Sequence, residues 1–103
     1  MTTKQLFQSI EKCYAFSTAC GIAVTNEFEE YNGGVYSQGG RHYINHIISV
    51  VGWGREESSG REYWVGRNSW GTYWGELGYF RIQMHTDNLA IEDDCVWAVP
   101  KLS

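Results

Sequence analysis

"YINHIISVVGWGREESSGREYWVGRNSW", residues 43–70, decides the fold of this chain. Its two ends are β-branched and aromatic, and its middle, "REESSGRE" (55–62), is charged and holds Ser and Gly. Two extended segments joined by a short polar loop pair as an antiparallel hairpin. The first arm, "YINHIISVVGWG", is an almost unbroken apolar run, the pattern of a strand buried on both faces. If Trp53 lies opposite Glu62 or Tyr63, His46 falls opposite Ser69 or Trp70, with Asn68 one or two positions away. Directly opposed Cβ atoms are about 5 Å apart and diagonal ones roughly 7–8 Å. A bulge or a one-residue slip therefore brings the His46 imidazole against the Asn68 amide.

Working outward, "GTYWGELG" (71–78) is a glycine-punctuated connection and "YFRIQMH" (79–85) a third strand. Upstream, "CGIAVTNEF" (20–28) has the β-branched alternation of a strand, and "YNGGVYSQGG" (31–40) carries the Gly pairs of turns. Leu6, Phe7, Ile10 and Tyr14 recur at helical spacing and predict a short helix within Lys4–Phe16. The tail "NLAIEDDCVWAV" (88–99) reads as a turn followed by a last strand. The fold class is mainly β, with a short N-terminal helix.

Composition narrows the function. With 103 residues, 43% of them hydrophobic and 16% aromatic, the chain can build one core and not two. A single Pro and 19% charged residues argue against disorder. The net charge of −4 leaves no basic stripe for a phosphate backbone, so nucleic acid is not an expected partner. The opening "MTTKQLFQSI" has no apolar run, so neither a signal peptide nor a membrane span is expected there. No cofactor is implied. "NGGVYSQGGR" lacks the Gly-Lys-Ser/Thr ending of a phosphate cradle. Three cysteines permit one disulfide and leave one thiol; without a Cys-x-x-Cys pair a structural zinc site is not expected. His42 and His46 are four residues apart, about 13 Å along a strand, too far to share an ion. No metal site is expected, "EDDC" (92–95) reads as a solvated turn, and His85 as a surface residue.

An imidazole held by a neutral amide is how a cysteine hydrolase orients its base. The amide oxygen accepts from one ring nitrogen, which fixes the tautomer and aims the other nitrogen at a thiol. The pair alone leaves a second reading open, a half-buried strand histidine bonded to a backbone carbonyl. Its neighbours add more. "NHIISVVGWG" (45–54) and "EYWVGRNSWGTYWGELGYFRI" (62–82) resemble the C-terminal half of the papain-like cysteine peptidases. "ACGIAVTNEFEEYNGGVYS" (19–37), "YINH" (43–46) and "NLAIEDDC" (88–95) are similar to the cathepsin X/Z branch of that family, lysosomal exopeptidases that act on peptide C-termini.

The resemblance implies an antiparallel, barrel-like β domain over residues 19–103, preceded by a lead over 1–18 that contains a remnant of the family's nucleophile helix. It makes His46 the general base, Asn68 its orienter, Trp70 a lid over the bond between them, and Trp74 the wall on the leaving-group side. The same indoles and glycines also read as a packing corner, and the two readings are compatible. Cys20 and Cys95 stand where the branch has a disulfide, the other reading being two buried thiols. "CYAFSTA" (13–19) is similar to the opening of the nucleophile helix, which makes Cys13 the candidate nucleophile. "IEK" precedes it where the family has Cys-Gly-Ser, so an inert thiol is the other reading. Gln8, five residues upstream, falls one short of the family spacing for the oxyanion-hole glutamine. No counterpart of the helical half of the family's cleft is legible. The implied partners are peptide or protein substrates, with self-association or docking of a complementary domain through the open cleft face. The implied setting is lysosomal or extracellular. The rival function is a non-catalytic binding module or decoy derived from a peptidase.

Overall fold

The computed structural model describes residues 18–97; the expected helix within Lys4–Phe16, with Gln8 and Cys13, lies outside them. Six strands, β1 (Thr18–Ile22), β2 (Val35–Tyr36), β3 (His46–Arg55), β4 (Glu62–Arg67), β5 (Tyr79–Gln83) and β6 (Cys95–Trp97), form one sheet in the order β2-β5-β4-β3-β1-β6. One turn of helix, α1 (Asn26–Glu29), and a 3-10 turn (Asn88–Ala90) complete the secondary structure of the described residues. The fold is mainly β as expected, and the sheet is mixed. The chain between β1 and β2 crosses from one side of the sheet to its far edge, and β2 arrives there parallel to β5.

The predicted hairpin is β3–β4. Its end is closed by Glu56 N–H donating to Arg61 O at 2.8 Å, which sets Arg55 opposite Glu62 and Trp53 opposite Trp64, one residue beyond the expected partner. The register then shifts between Val50 and Gly52, where Val51 is the extra residue of a bulge. Gly52 and Gly54 in this strand are the sequence signal for such an irregularity.

Two other expectations are corrected. β3 is buried on one face rather than both: Ile48 and Val50 are 4% and 1% exposed, while Ile47 and Val51 are 69% and 43% exposed. Alternate residues of a strand point to opposite faces, and the core layer of Phe28, Leu89 and Ile91 lies on one of them. The segment 20–28 is not one strand, because β1 stops at Ile22. Ala23 N–H turns away to Leu89 O at 2.9 Å, and the Thr25 hydroxyl accepts from Phe28 N–H at 3.2 Å as the N-cap of α1. Glu27 and Glu29 in that first turn suit the positive end of a helix.

Ile22, Phe28, Trp64, Phe80, Ile82 and Leu89 are fully buried and form the centre of the core. Gly66 makes room there: a Cβ on it would stand 2.2 Å from the Phe80 ring across the β4–β5 pair. Asp93 and Asp94 are exposed, but Glu92 is 4% exposed, which corrects the reading of "EDDC" as wholly solvated. Its carboxylate accepts from Trp64 Nε1–H at 3.3 Å and from Asp87 N–H at 3.0 Å. A buried carboxylate is tolerated where donors surround it. Cys20 and Cys95 face each other across β1 and β6 and are joined by the disulfide that the resemblance implied, closing 75 residues of chain.

Candidate active site

His46 opens β3 and Asn68 follows directly on β4. On the site's side of the bulge the register is Ser49 opposite Arg67, and one further step sets Asn68 against Ile48, on the same face as His46. On the hairpin's side of the bulge Trp53 stands opposite Trp64, and that register, continued, would set Asn68 against Ser49, on the opposite face. Val51 thus places the amide and the imidazole on one side of the sheet. Beyond Arg67 the chain leaves β3, held by Asn68 N–H donating to Gly78 O at 3.0 Å.

His46 Nε2 lies 3.0 Å from Asn68 Oδ1. The backbone fixes which atom of the amide faces the ring, since Ser69 N–H also donates to Oδ1, at 2.8 Å. A backbone N–H cannot accept, so the reversed amide would set donor against donor. Oδ1 therefore faces the imidazole, Nε2 carries the hydrogen, and Nδ1 is left with the lone pair. Asn68 is 8% exposed, and its Nδ2 has no hydrogen-bond partner among the described residues. Among the described residues this side chain makes its hydrogen bonds through its oxygen.

Trp70 lies over the imidazole, ring centroids 5.3 Å apart and planes 25° from parallel. Trp74 meets Trp70 edge-on at 5.0 Å, and its Nε1–H donates to Glu29 O at 3.0 Å, tying the β4–β5 connection to α1. Gly75 allows this turn: its φ is +60°, and a Cβ there would stand 2.6 Å from Tyr79 O. Phe28, which the sequence reading did not single out, supports the whole assembly. Its ring is edge-on to Trp70 at 6.1 Å, to Trp74 at 5.2 Å and to Phe80 at 5.1 Å, and it is fully buried. Its signal in the sequence was the Thr25 cap, which turns Asn26–Glu29 into helix and directs Phe28 inward. Packed rings lower the local dielectric and so strengthen the hydrogen bond beneath them.

Asn68 and Ser69 line two open cavities, of about 310 and 380 Å3. Among the described residues no cluster of His, Cys, Asp or Glu could hold a metal ion. His42 sits in the loop before β3, its Nε2 2.9 Å from Gly39 O, and His85 is exposed with Nε2 3.0 Å from Glu62 Oε1. Cys13 and Gln8 fall outside the described residues.

A histidine whose tautomer is set by a neutral amide beneath an indole is an arrangement suited to one class, the hydrolases that act through a thiol. Comparison with known proteins narrows the class. The pattern described as "Papain family cysteine protease" matches residues 3–99. Cathepsin Z of Onchocerca volvulus is 54% identical over 89 residues, 80% of this chain and 29% of that protein. Fruit bromelain of Ananas comosus is 48% identical over 61 residues, 59% of this chain and 17% of that one. Among solved structures, digestive procathepsin L 3 of Tenebrio molitor larval midgut superimposes with a TM-score of 0.81 at 30% identity, over 91% of this chain and 31% of that one. Bromelain of Ananas comosus in complex with the E64 inhibitor gives a TM-score of 0.82 at 24% identity, over 93% of this chain and 45% of that one, a likeness of fold. The chain belongs to the papain family of cysteine proteases, in its cathepsin X/Z branch. It spans less than a third of the length of the cathepsin Z that it matches.

Proposed function

We propose that this chain carries the base side of a papain-type active site and cleaves peptide bonds through a thiol acyl-enzyme, with Cys13 as the nucleophile. His46 Nδ1 takes the proton of the Cys13 thiol, and the resulting thiolate attacks the peptide carbonyl. The imidazolium then gives its proton to the leaving amine, and water releases the acyl group in a second turn of the same base. Asn68 keeps Nε2 protonated and the ring aimed, Trp70 shields that bond, Trp74 walls the leaving-group side, and Gln8 is the oxyanion donor. The observation that carries the reading is the 3.0 Å contact of His46 Nε2 with an amide oxygen whose orientation Ser69 N–H fixes.

Substrates are peptides or proteins, and removal of C-terminal residues is the mode the cathepsin Z likeness favours. The Cys20–Cys95 disulfide suits an oxidising setting, lysosomal or extracellular. Ile47, Val51 and Val96, exposed on one face of the sheet, supply an apolar surface for self-association or for a complementary domain.

Thiol labelling tests the reaction directly. With Cys20 and Cys95 bonded, Cys13 is the one remaining thiol of the three, so the label reports a single site. An epoxide or iodoacetamide should modify it faster at pH 5 than a free thiol, and His46→Ala should abolish the excess. Equal, slow rates in both proteins would sink the peptidase reading and leave a binding module.

A further inference from the structure

We infer that Asn32 is a site of self-modification: the Asn32–Gly33 pair converts without an enzyme to aspartyl and isoaspartyl forms, in a loop that leads to Trp74, the wall of the proposed site. The chemistry needs a side-chain amide followed by a backbone nitrogen free to attack it. Of the chain's asparagines, Asn32 alone precedes a glycine. The others are held. Asn26 lies in α1, Asn45 exchanges two hydrogen bonds with Val24, and Asn68 is 8% exposed. Asn88 is 2% exposed, accepts from Gln38 N–H and donates to Gln83 O and Thr86 Oγ1. Asn32 and Gly33 are both exposed, and among the described residues neither the Asn32 amide nor Gly33 N–H has a hydrogen-bond partner. Gly33 has a φ of +145°, a conformation suited to glycine, and a Cβ there would stand 3.9 Å from the Glu76 side chain, the nearest group outside the adjoining residues. Neither a bond nor a neighbour obstructs the attacking nitrogen.

Gly33 N gives its proton to base and bonds to Asn32 Cγ; the Cγ–Nδ2 bond breaks, and the amide nitrogen leaves as ammonia. Water then opens the cyclic imide. Cleavage at Cγ leaves an aspartate, whereas cleavage at the backbone carbonyl leaves Gly33 joined through the side chain, with one carbon added to the main chain. Either product adds a negative charge to the net −4, close in sequence to Glu29 and Glu30 and near Glu76. The isoaspartyl form also lengthens a loop whose closure is fixed, since Tyr31 Oη–H donates to Gly34 O at 2.6 Å and Gly34 N–H to Glu76 Oε2 at 3.3 Å. Tyr31 packs on Trp74, ring centroids 5.4 Å apart, and Trp74 Nε1–H is bonded to Glu29 O at 3.0 Å. A longer loop therefore loosens the indole. Because base must remove the Gly33 proton, the site is quiet in acid and runs at neutral pH, and the modified form accumulates outside an acidic compartment.

The test is incubation of the full chain, disulfide intact, at pH 5 and pH 8, followed by peptide mass mapping and detection of isoaspartate by enzymatic methyl transfer. At pH 8 Asn32 should convert before every other asparagine and about as fast in the folded chain as in urea; at pH 5 it should stay intact. Isoelectric focusing should show the whole protein moving by one negative charge, and Asn32→Gln should abolish that shift. Asn32 surviving at pH 8 in the folded chain while it converts in urea, or another asparagine converting first, overturns the inference. Hydrogen exchange at the Trp74 indole, read by NMR, tests the link to the site wall. It should be faster in the isoaspartyl form and near wild type in Asn32→Asp, which adds the charge without lengthening the chain. Unchanged exchange in the isoaspartyl form overturns that link. None of these readouts requires peptide cleavage, so failure of the peptidase reading, detected by labelling of Cys13, is distinguished from failure here.

Discussion

Replacing Asp87 with Asn should stabilise the chain at neutral pH and leave its stability unchanged at pH 4. Asp87 sits in a turn whose residues Asp87, Leu89 and Ala90 all have positive φ, and it exchanges hydrogen bonds with Glu92. Asp87 Oδ1 accepts from Glu92 N–H at 2.9 Å, and Glu92 Oε1 accepts from Asp87 N–H at 3.0 Å. Burial, then the adjoining Asp93 carboxyl, push its pKa up from 3.8 to about 6. A group that binds its proton more tightly folded than unfolded stabilises the fold fully below its unfolded pKa, and that contribution is lost as pH rises through about 6. A shift of this size corresponds to ~3 kcal/mol at its face value, but the carboxyl is partly exposed and screened, so on the order of 1 kcal/mol remains. Asn keeps the acceptor for Glu92 N–H and cannot ionise. Urea or thermal unfolding at pH 4, 5, 6 and 7 should therefore show a gain that grows from near zero at pH 4 to about 4–8 °C in Tm at pH 7. An equal gain at every pH would mean that the substitution acts through Asn's ease in a left-handed conformation alone. A loss at pH 7 would refute the charge argument outright.

The opposite sign applies at Glu76, whose carboxylate is held below its ordinary pKa mainly by the Arg81 guanidinium, with Gly34 N–H also donating to it. Glu76→Gln should cost stability above about pH 4.5 and nothing well below it, by the same unfolding series. Phe28→Ala should cost about 3–5 kcal/mol, since the ring is fully buried and packed against Trp70, Trp74 and Phe80; a denaturant midpoint shift worth under 1 kcal/mol would mean the cluster is not structural. Replacing Cys20 and Cys95 by Ala should cost about 4 kcal/mol, given the 75-residue separation that their bond spans, read by the same midpoint in oxidised protein.

The chemistry of this chain was legible in residues 43–82, because a hairpin's polar loop and the order His, Asn, Trp, Gly are local facts of sequence. Pairing His46 with Asn68 followed from strand periodicity, provided a bulge or slip intervened. What the sequence alone left undecided was set at a distance. The expected partner of Trp53 was off by one because loop closure from Glu56 to Arg61 fixes the hairpin end. The reading of β3 as buried on both faces came from its apolar run, but burial depends on what packs against each face, and the core layer covers one. Glu92 looked like part of a solvated acidic turn, and only the approach of Trp64 Nε1, from 28 residues earlier, gave it a donor in the core.

Residue types and spacing determined which groups this protein can bring to chemistry: an imidazole, an amide, indoles and glycines along one hairpin. Tertiary structure decided how they face one another. The Val51 bulge put Asn68 on the His46 side, the Ser69 N–H turned the amide oxygen to the ring, and Phe28 came from outside the hairpin to support Trp70. Strand periodicity is a local property that sequence carries, whereas register, burial and hydrogen-bond direction depend on segments that meet only when the sheet has closed around its core.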